Sequence, residues 1–268
     1  MNFTQEIVMR IFKNIGEKVE KTMTKRQGYK EYYVAFVDIL GFKNMIANSQ
    51  FDEILDVYWH FMNEGFLNPT LGLAYAVGYD EQDEHDKELK KFNMALRKTS
   101  YQYFSDCIIV AVPCINSEAL AVIIEICNYL QESMFKCTQP VFLRGAITKG
   151  LLYINNQKSI VFGKGLVEAY QAESTIAKYP RIILSENVAN SGVLDVAKDY
   201  PNKVLRDVDG YLYINSIGRY LEEPERSLEK EKHLSEYVDG ILNSYNPHEI
   251  REKYLWIKNK IDLISKKD

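Results

Sequence analysis

One aspartate stands inside an otherwise apolar strand. Tyr32 to Leu40 (YYVAFVDIL) combines aromatic and β-branched residues, is bounded by Gly41 and contains a single acid, Asp38. Desolvating an isolated carboxylate costs several kcal/mol, so a chain that buries this segment must also bring Asp38 a counter-charge or a cation. Asp106 meets the same constraint between Phe104 and the apolar run Cys107–Val110. Tyr101 to Pro113 (YQYFSDCIIVAVP) reads as two short strands meeting near Ser105 and Asp106, a hairpin that puts the acid at its tip. If this hairpin lies beside the first strand, the two carboxylates converge at one end of a sheet. Such an oxygen-rich site suits Mg²⁺ or Mn²⁺, although two acids alone also fit structural ion pairs. Gly41 lets the backbone turn closely there, leaving amides free to approach an anion.

Periodicity organises the rest of the chain. Ile7, Val8, Ile11, Phe12, Ile15 and Val19 give an amphipathic N-terminal helix, expected to dock on another element. A second helical pattern runs from Lys43 to about Phe66, with Ile46, Ile54, Leu55, Tyr58, Phe61 and Met62 as its apolar face. The acid-rich stretch from Gly78 to Lys91 reads as a solvated surface loop. Ala119 to Met134 is a strong helix, followed after Pro140 by the strand VFLRGAIT and a second extended piece at Leu151 to Ile154. Gly163, Lys164 and Gly165 lead a helix to about Lys178, and Pro180 ends it before the strand RIILS. KVLRDVDGYLYIN predicts a hairpin turning at Asp209 and Gly210. Near the C-terminus, Ile250, Tyr254, Ile257, Ile261 and Ile264 step by four and three, a stripe that packs on the sheet or joins a partner chain.

Charge and composition exclude several classes. Lys and Arg total 33 against 37 Asp and Glu, a net charge of −4 with no basic patch, which disfavours nucleic acid as a partner. No apolar run reaches the ~18 residues of a membrane span, so the expectation is a cytoplasmic protein without membrane attachment. Cys107, Cys114, Cys127 and Cys137 include no CxxC pair and none of the spacings a zinc site would use, and they read as buried thiols of a reducing compartment. His60, His85, His233 and His248 read as surface or boundary residues rather than metal ligands.

The words FVDILGFK, YQYFSDCIIV, LRGAITKG and GKGLVEAYQAES, in this order and spacing, resemble the class III nucleotidyl cyclases from about Tyr32 to Ser216. The resemblance implies an α/β (α+β) fold with a ferredoxin-like core, a mixed central sheet and flanking helices. It divides the chain into an N-terminal helical arm (1–30), a catalytic domain (31–220) and a C-terminal helical tail (221–268). It assigns metal binding to Asp38, the Ile39 carbonyl and Asp106, and a substrate-lining role to Phe42 beside Gly41. Arg144 becomes the triphosphate contact. The family's base-reading position falls on Gln102, an amide that fits neither purine code.

Departures from the family are equally specific. The glycine usual before the second metal acid is Ser105, and the asparagine and arginine that stabilise the transition state align with Glu168 and Ala172. Lys164, Lys203 or Arg206 could supply that charge instead. Retained acids with a changed helix resemble the bacterial Pycsar pyrimidine cyclases of antiphage defence. That implies UTP or CTP as substrate, a cyclic pyrimidine nucleotide as product, two Mn²⁺ or Mg²⁺ ions, a homodimer and a separately encoded effector that senses the messenger. The rival reading is a degenerate cyclase-fold module that binds nucleotide or a partner without catalysis. A diguanylate-cyclase-like palm is disfavoured, because YFSDC lacks its glycine-rich acidic hairpin.

Overall fold

The computed structural model describes residues 29–60, 86–190, 202–222, 228–244 and 246–265. The N-terminal helix expected at Ile7–Val19 lies outside these residues, as do positions 61–85. Among the described residues an eight-stranded mixed sheet carries helices on both faces, the mixed α/β architecture expected from the sequence.

The first strand, β1 (Tyr29–Ile39), runs between β3 (Cys107–Pro113) and β4 (Leu143–Asn155), antiparallel to both. Outside β3 lies β2 (Ser100–Phe104). Beyond β4 come β6 (Ile182–Leu184), parallel to it, then β8 (Leu212–Ile214) and β7 (Val204–Arg206). A short strand, β5 (Ile160–Phe162), also pairs with β4. The turn at Asp209 and Gly210 separates β7 from β8 as predicted; Gly210 has φ 88°, which a side chain would resist.

The two faces of β1 follow its alternation. Tyr33, Ala35, Val37 and Ile39 enter the larger core with α3 (Asp86–Arg97) and α4 (Ala119–Phe135). Val34 and Phe36 face α5 (Lys164–Thr175), which approaches closely because glycines meet there. A Cβ on Gly150 would stand 2.8 Å from the Gly165 Cα, so that position has no room for a side chain, and a Cβ on Gly165 would crowd Val34 at 3.1 Å. Thr148 fixes the contact by donating its hydroxyl to the Gly165 carbonyl at 2.8 Å.

The structure corrects three expectations. The two extended pieces after Pro140 are one strand, because Tyr32 and Tyr33 of β1 continue the ladder through Gly150 and Lys149. The acid-rich stretch is helical from Asp86 onward: Phe92, Ala95 and Leu96 fall on one face and enter the core, while the charges point outward. The pattern from Lys43 divides into α1 (Phe42–Asn48) and α2 (Phe51–Trp59), with a break at Ser49 and Gln50. Ile46 and Leu55 of its expected apolar face are exposed, and Val57 is buried instead.

Past β6 come α6 (Glu186–Ala189), α7 (Ser216–Glu222), α8 (Leu228–Asn243) and α9 (His248–Ser265). The C-terminal stripe turns inward. Ile257, Ile261 and Ile264 join Leu234 and Val238 of α8 in a core built on Ala146, Ile183 and Tyr213 of the sheet. Each fully buried isoleucine is worth about 1.5–3 kcal/mol. A buried charge network adds register: Asp207 accepts hydrogen bonds from Arg181, from the Trp256 indole at 2.7 Å and from Lys260 at 3.0 Å. Among the described residues no helix is long and apolar enough to cross a membrane.

Candidate active site

Antiparallel register puts Asp38 opposite Cys107 on one side and Arg144 on the other, all facing α5. Asp106 is brought alongside by the backbone. Its carbonyl accepts the Ile39 N–H at 2.9 Å, which clamps the tip of the β2–β3 hairpin to the end of β1. The Arg144 guanidinium lies between two acids: Nη2 is 3.2 Å from Asp38 Oδ2 and also pairs with Glu173 of α5.

Burial first, and then the neighbouring Asp106 charge, raise the Asp38 carboxyl to about 6, with Arg144 only partly offsetting them. Burial likewise raises Glu173, against the pull of Arg144. Two carboxylates thus share one guanidinium, and Asp106 adds a third negative charge nearby. The set has the hardness and the excess negative charge that a divalent cation would balance. Burial, and then Asp106, push the neighbouring Cys107 thiol up to about 11, so it adds no charge to the set at neutral pH. None of the four cysteines forms a disulfide.

Gly41 caps α1 in a left-handed conformation, φ 79°, with open space where its Cβ would be. Phe42 follows it and packs edge-on against Tyr58 of α2, ring centroids 5.9 Å apart. Tyr58 then donates its hydroxyl to the Ser105 carbonyl at 2.8 Å, so α2 braces the hairpin tip. Ser105 has φ 54°, a left-handed conformation that favours glycine. Gln102 shares a register row with Ile109 and Phe36, the row next to Asp38 on the same face. Its amide donates to Asn156 Oδ1 at 3.3 Å.

The structure therefore brings Asp38, Ile39, Gly41, Phe42, Asp106 and Arg144 to one end of the sheet and leaves Gln102 one row away. Lys203 pairs with Glu125 of α4, Arg206 donates to the Gly210 carbonyl at 2.6 Å within its own hairpin, and Lys164 lies 3.4 Å from Glu168 on exposed helix surface. Two participants escaped the sequence reading. Glu173 falls four residues after the buried Ala169 and is itself buried, so the rule applied to Asp38, that a buried acid needs a partner, would have found it. Tyr58 fits the apolar face of its helical pattern, and nothing local to its sequence marks the hydroxyl's contact across the fold.

No protein-family model and no curated protein sequence matches the chain. Solved structures do resemble it. The guanylyl cyclase domain of the RhoGC fusion protein from the aquatic fungus Blastocladiella emersonii is 15% identical at a TM-score of 0.46, over 69% of this chain and 95% of that one. The adenylyl cyclase CyaB from P. aeruginosa is 15% identical at a TM-score of 0.42, over 69% and 93%. A class III adenylyl cyclase-like ATP-binding protein from Pseudomonas aeruginosa is 8% identical at 0.37, over 63% and 37%. These neighbours carry guanylyl cyclase, adenylyl cyclase or adenylyl cyclase-like names. Their TM-scores are all below 0.5, and the functional reading rests on the residues themselves.

Proposed function

We propose that the chain is a pyrimidine nucleotide cyclase, converting UTP or CTP to the 3′,5′-cyclic monophosphate and diphosphate. The observation that carries this reading is the meeting of Asp38 and Asp106 at the end of β1, with Arg144 beside them and open space over Gly41. In cyclisation the ribose 3′-oxygen attacks the α-phosphorus in line and diphosphate leaves, a reaction that demands positioning and charge compensation. Divalent cations, Mn²⁺ or Mg²⁺, held by Asp38, Asp106 and the Ile39 carbonyl would supply the Lewis acidity that lowers the 3′-hydroxyl pKa. Arg144 neutralises charge growing on the departing diphosphate, and Glu173 holds its guanidinium at the site. Phe42, fixed by Tyr58, walls the substrate. Gln102, able to donate and to accept, reads the pyrimidine edge.

The Pycsar resemblance extends the proposal to a homodimer and to a messenger sensed by a separate effector in antiphage defence. The test is incubation of the purified protein and Mn²⁺ with each of the four ribonucleoside triphosphates, products read by mass spectrometry. Cyclic UMP or cyclic CMP is expected, and Asp38→Ala or Asp106→Ala should stop its formation. Equal turnover of ATP or GTP sinks the pyrimidine assignment; product from the variant lacking both acids sinks the mechanism.

One observation favours the rival reading of a non-catalytic nucleotide-binding module. Glu168 and Ala172 stand where the family's transition-state residues align, and Lys203 and Arg206 are engaged elsewhere. Nucleotide binding without diphosphate release in the same assay would establish it.

A further inference from the structure

We propose a second metal site, for zinc, formed by Asp56, His60 and Cys137. Nothing in the linear spacing announces it, since Cys137 is far from the other two, but the fold brings one donor atom from each within 4.8 Å of the others. Asp56 lies on α2 and His60 caps its C-terminus; four residues apart, they present side chains on one face, and His60 Nε2 is 3.7 Å from Asp56 Oδ1. Cys137 follows α4 and is fully buried, whereas Asp56 and His60 are part-buried.

Three arguments point to zinc. Thiolate, imidazole and carboxylate together suit Zn²⁺, whereas Mg²⁺ and Mn²⁺ prefer the all-oxygen set at Asp38 and Asp106. Charge closes: one thiolate and one carboxylate balance a divalent ion, so the loaded site is neutral as its burial requires. The carboxylate is also oriented from behind, because Asp56 Oδ2 accepts the Thr138 N–H at 3.2 Å and leaves Oδ1 toward His60. Metal–ligand bonds of about 2.0–2.3 Å require donors about 3.5 Å apart, so loading draws the trio together by about an ångström. The fourth position is left to water.

The site joins elements that matter elsewhere. Thr138 is approached by the His233 ring of α8 at 3.3 Å, and α2 carries Tyr58, which braces the Ser105 carbonyl. Zinc here staples α2 to the chain leading into β4.

The test uses the full chain, stripped of metal and titrated with Co²⁺ and then Zn²⁺. One equivalent of Co²⁺ should produce a thiolate-to-cobalt charge-transfer band that Zn²⁺ abolishes. Cys107→Ser should keep the band and Cys137→Ser should lose it; the opposite pattern, or no band at all, overturns the proposal. Should Cys137→Ser fail to fold, His60→Gln at the part-exposed helix end carries the test. In competition with a chromophoric chelator it should weaken Zn²⁺ binding at least ten-fold, and unchanged affinity counts against the site.

Discussion

Asp38 and Arg144 face each other across β1 and β4, with Nη2 3.2 Å from Oδ2, yet the arginine does not bring the aspartate's pKa back to an ordinary value. Glu173 draws the same guanidinium, and Asp106 adds a second negative charge. The pair is thus under-compensated, as a cation-binding site must be before its cation arrives.

Asp38→Asn should therefore stabilise the metal-free protein while ending catalysis. A carboxyl raised from 3.8 to about 6 contributes stability that is full below pH 3.8 and is lost as pH rises through 6. At pH 7.5 the variant should be more stable by about 1–3 kcal/mol. Urea unfolding of both proteins at pH 4 and pH 7.5 checks this: the gain should be confined to the higher pH.

Ser105→Gly should raise stability by about 0.5–1 kcal/mol, because serine holds a left-handed φ of 54° that glycine adopts freely. Thermal melts read the gain. A loss would mean that the serine side chain contributes more than its backbone costs.

Glu173→Ala should cost about 1–3 kcal/mol and leave Arg144 with Asp38 as its remaining carboxylate partner. Freed from α5, the guanidinium is expected to reduce kcat more than it raises KM. Glu173→Gln should recover most of the stability and less of the rate. Steady-state kinetics beside denaturant curves separate the two effects.

Asp207→Ala should cost about 1–3 kcal/mol or more, since it leaves the buried Arg181 with Asp209 as its remaining carboxylate partner and takes the acceptor from the Trp256 indole. Burial alone would raise Asp207, but hydrogen bonds from Lys260, the Val208 amide and Trp256, together with the Arg181 charge, hold it below the usual range. Its stabilisation is present above pH 3.8 and disappears as pH falls through the lowered value, opposite in sense to Asp38. Acid unfolding followed by Trp fluorescence should show the wild type losing stability below about pH 4, and the variant lacking that dependence.

What the sequence revealed follows from which forces are local. Asp38 was conspicuous because a buried acid violates strand patterning within nine residues, and the hairpin bearing Asp106 is likewise a short-range pattern. Helix α3 was missed for the converse reason: its dense charges masked an apolar stripe at Phe92, Ala95 and Leu96. The division between α1 and α2, and the inward turn of the Ile257–Ile264 stripe, depend on tertiary packing that periodicity does not specify. Glu173 and Tyr58 reach the site through contacts between distant segments. So does the Asp56, His60 and Cys137 cluster, where spacing argued against a metal and the fold argues for one.

The hydrogen bond from the Ile39 amide to the Asp106 carbonyl has a kinetic meaning. One acid is anchored in a strand paired on both sides, while the other rides on a hairpin whose outer strand β2 is the sheet edge among the described residues. Exchange of that single amide with solvent deuterium reports how often the hairpin tip lifts, and hence what fraction of molecules at any instant holds the two acids side by side.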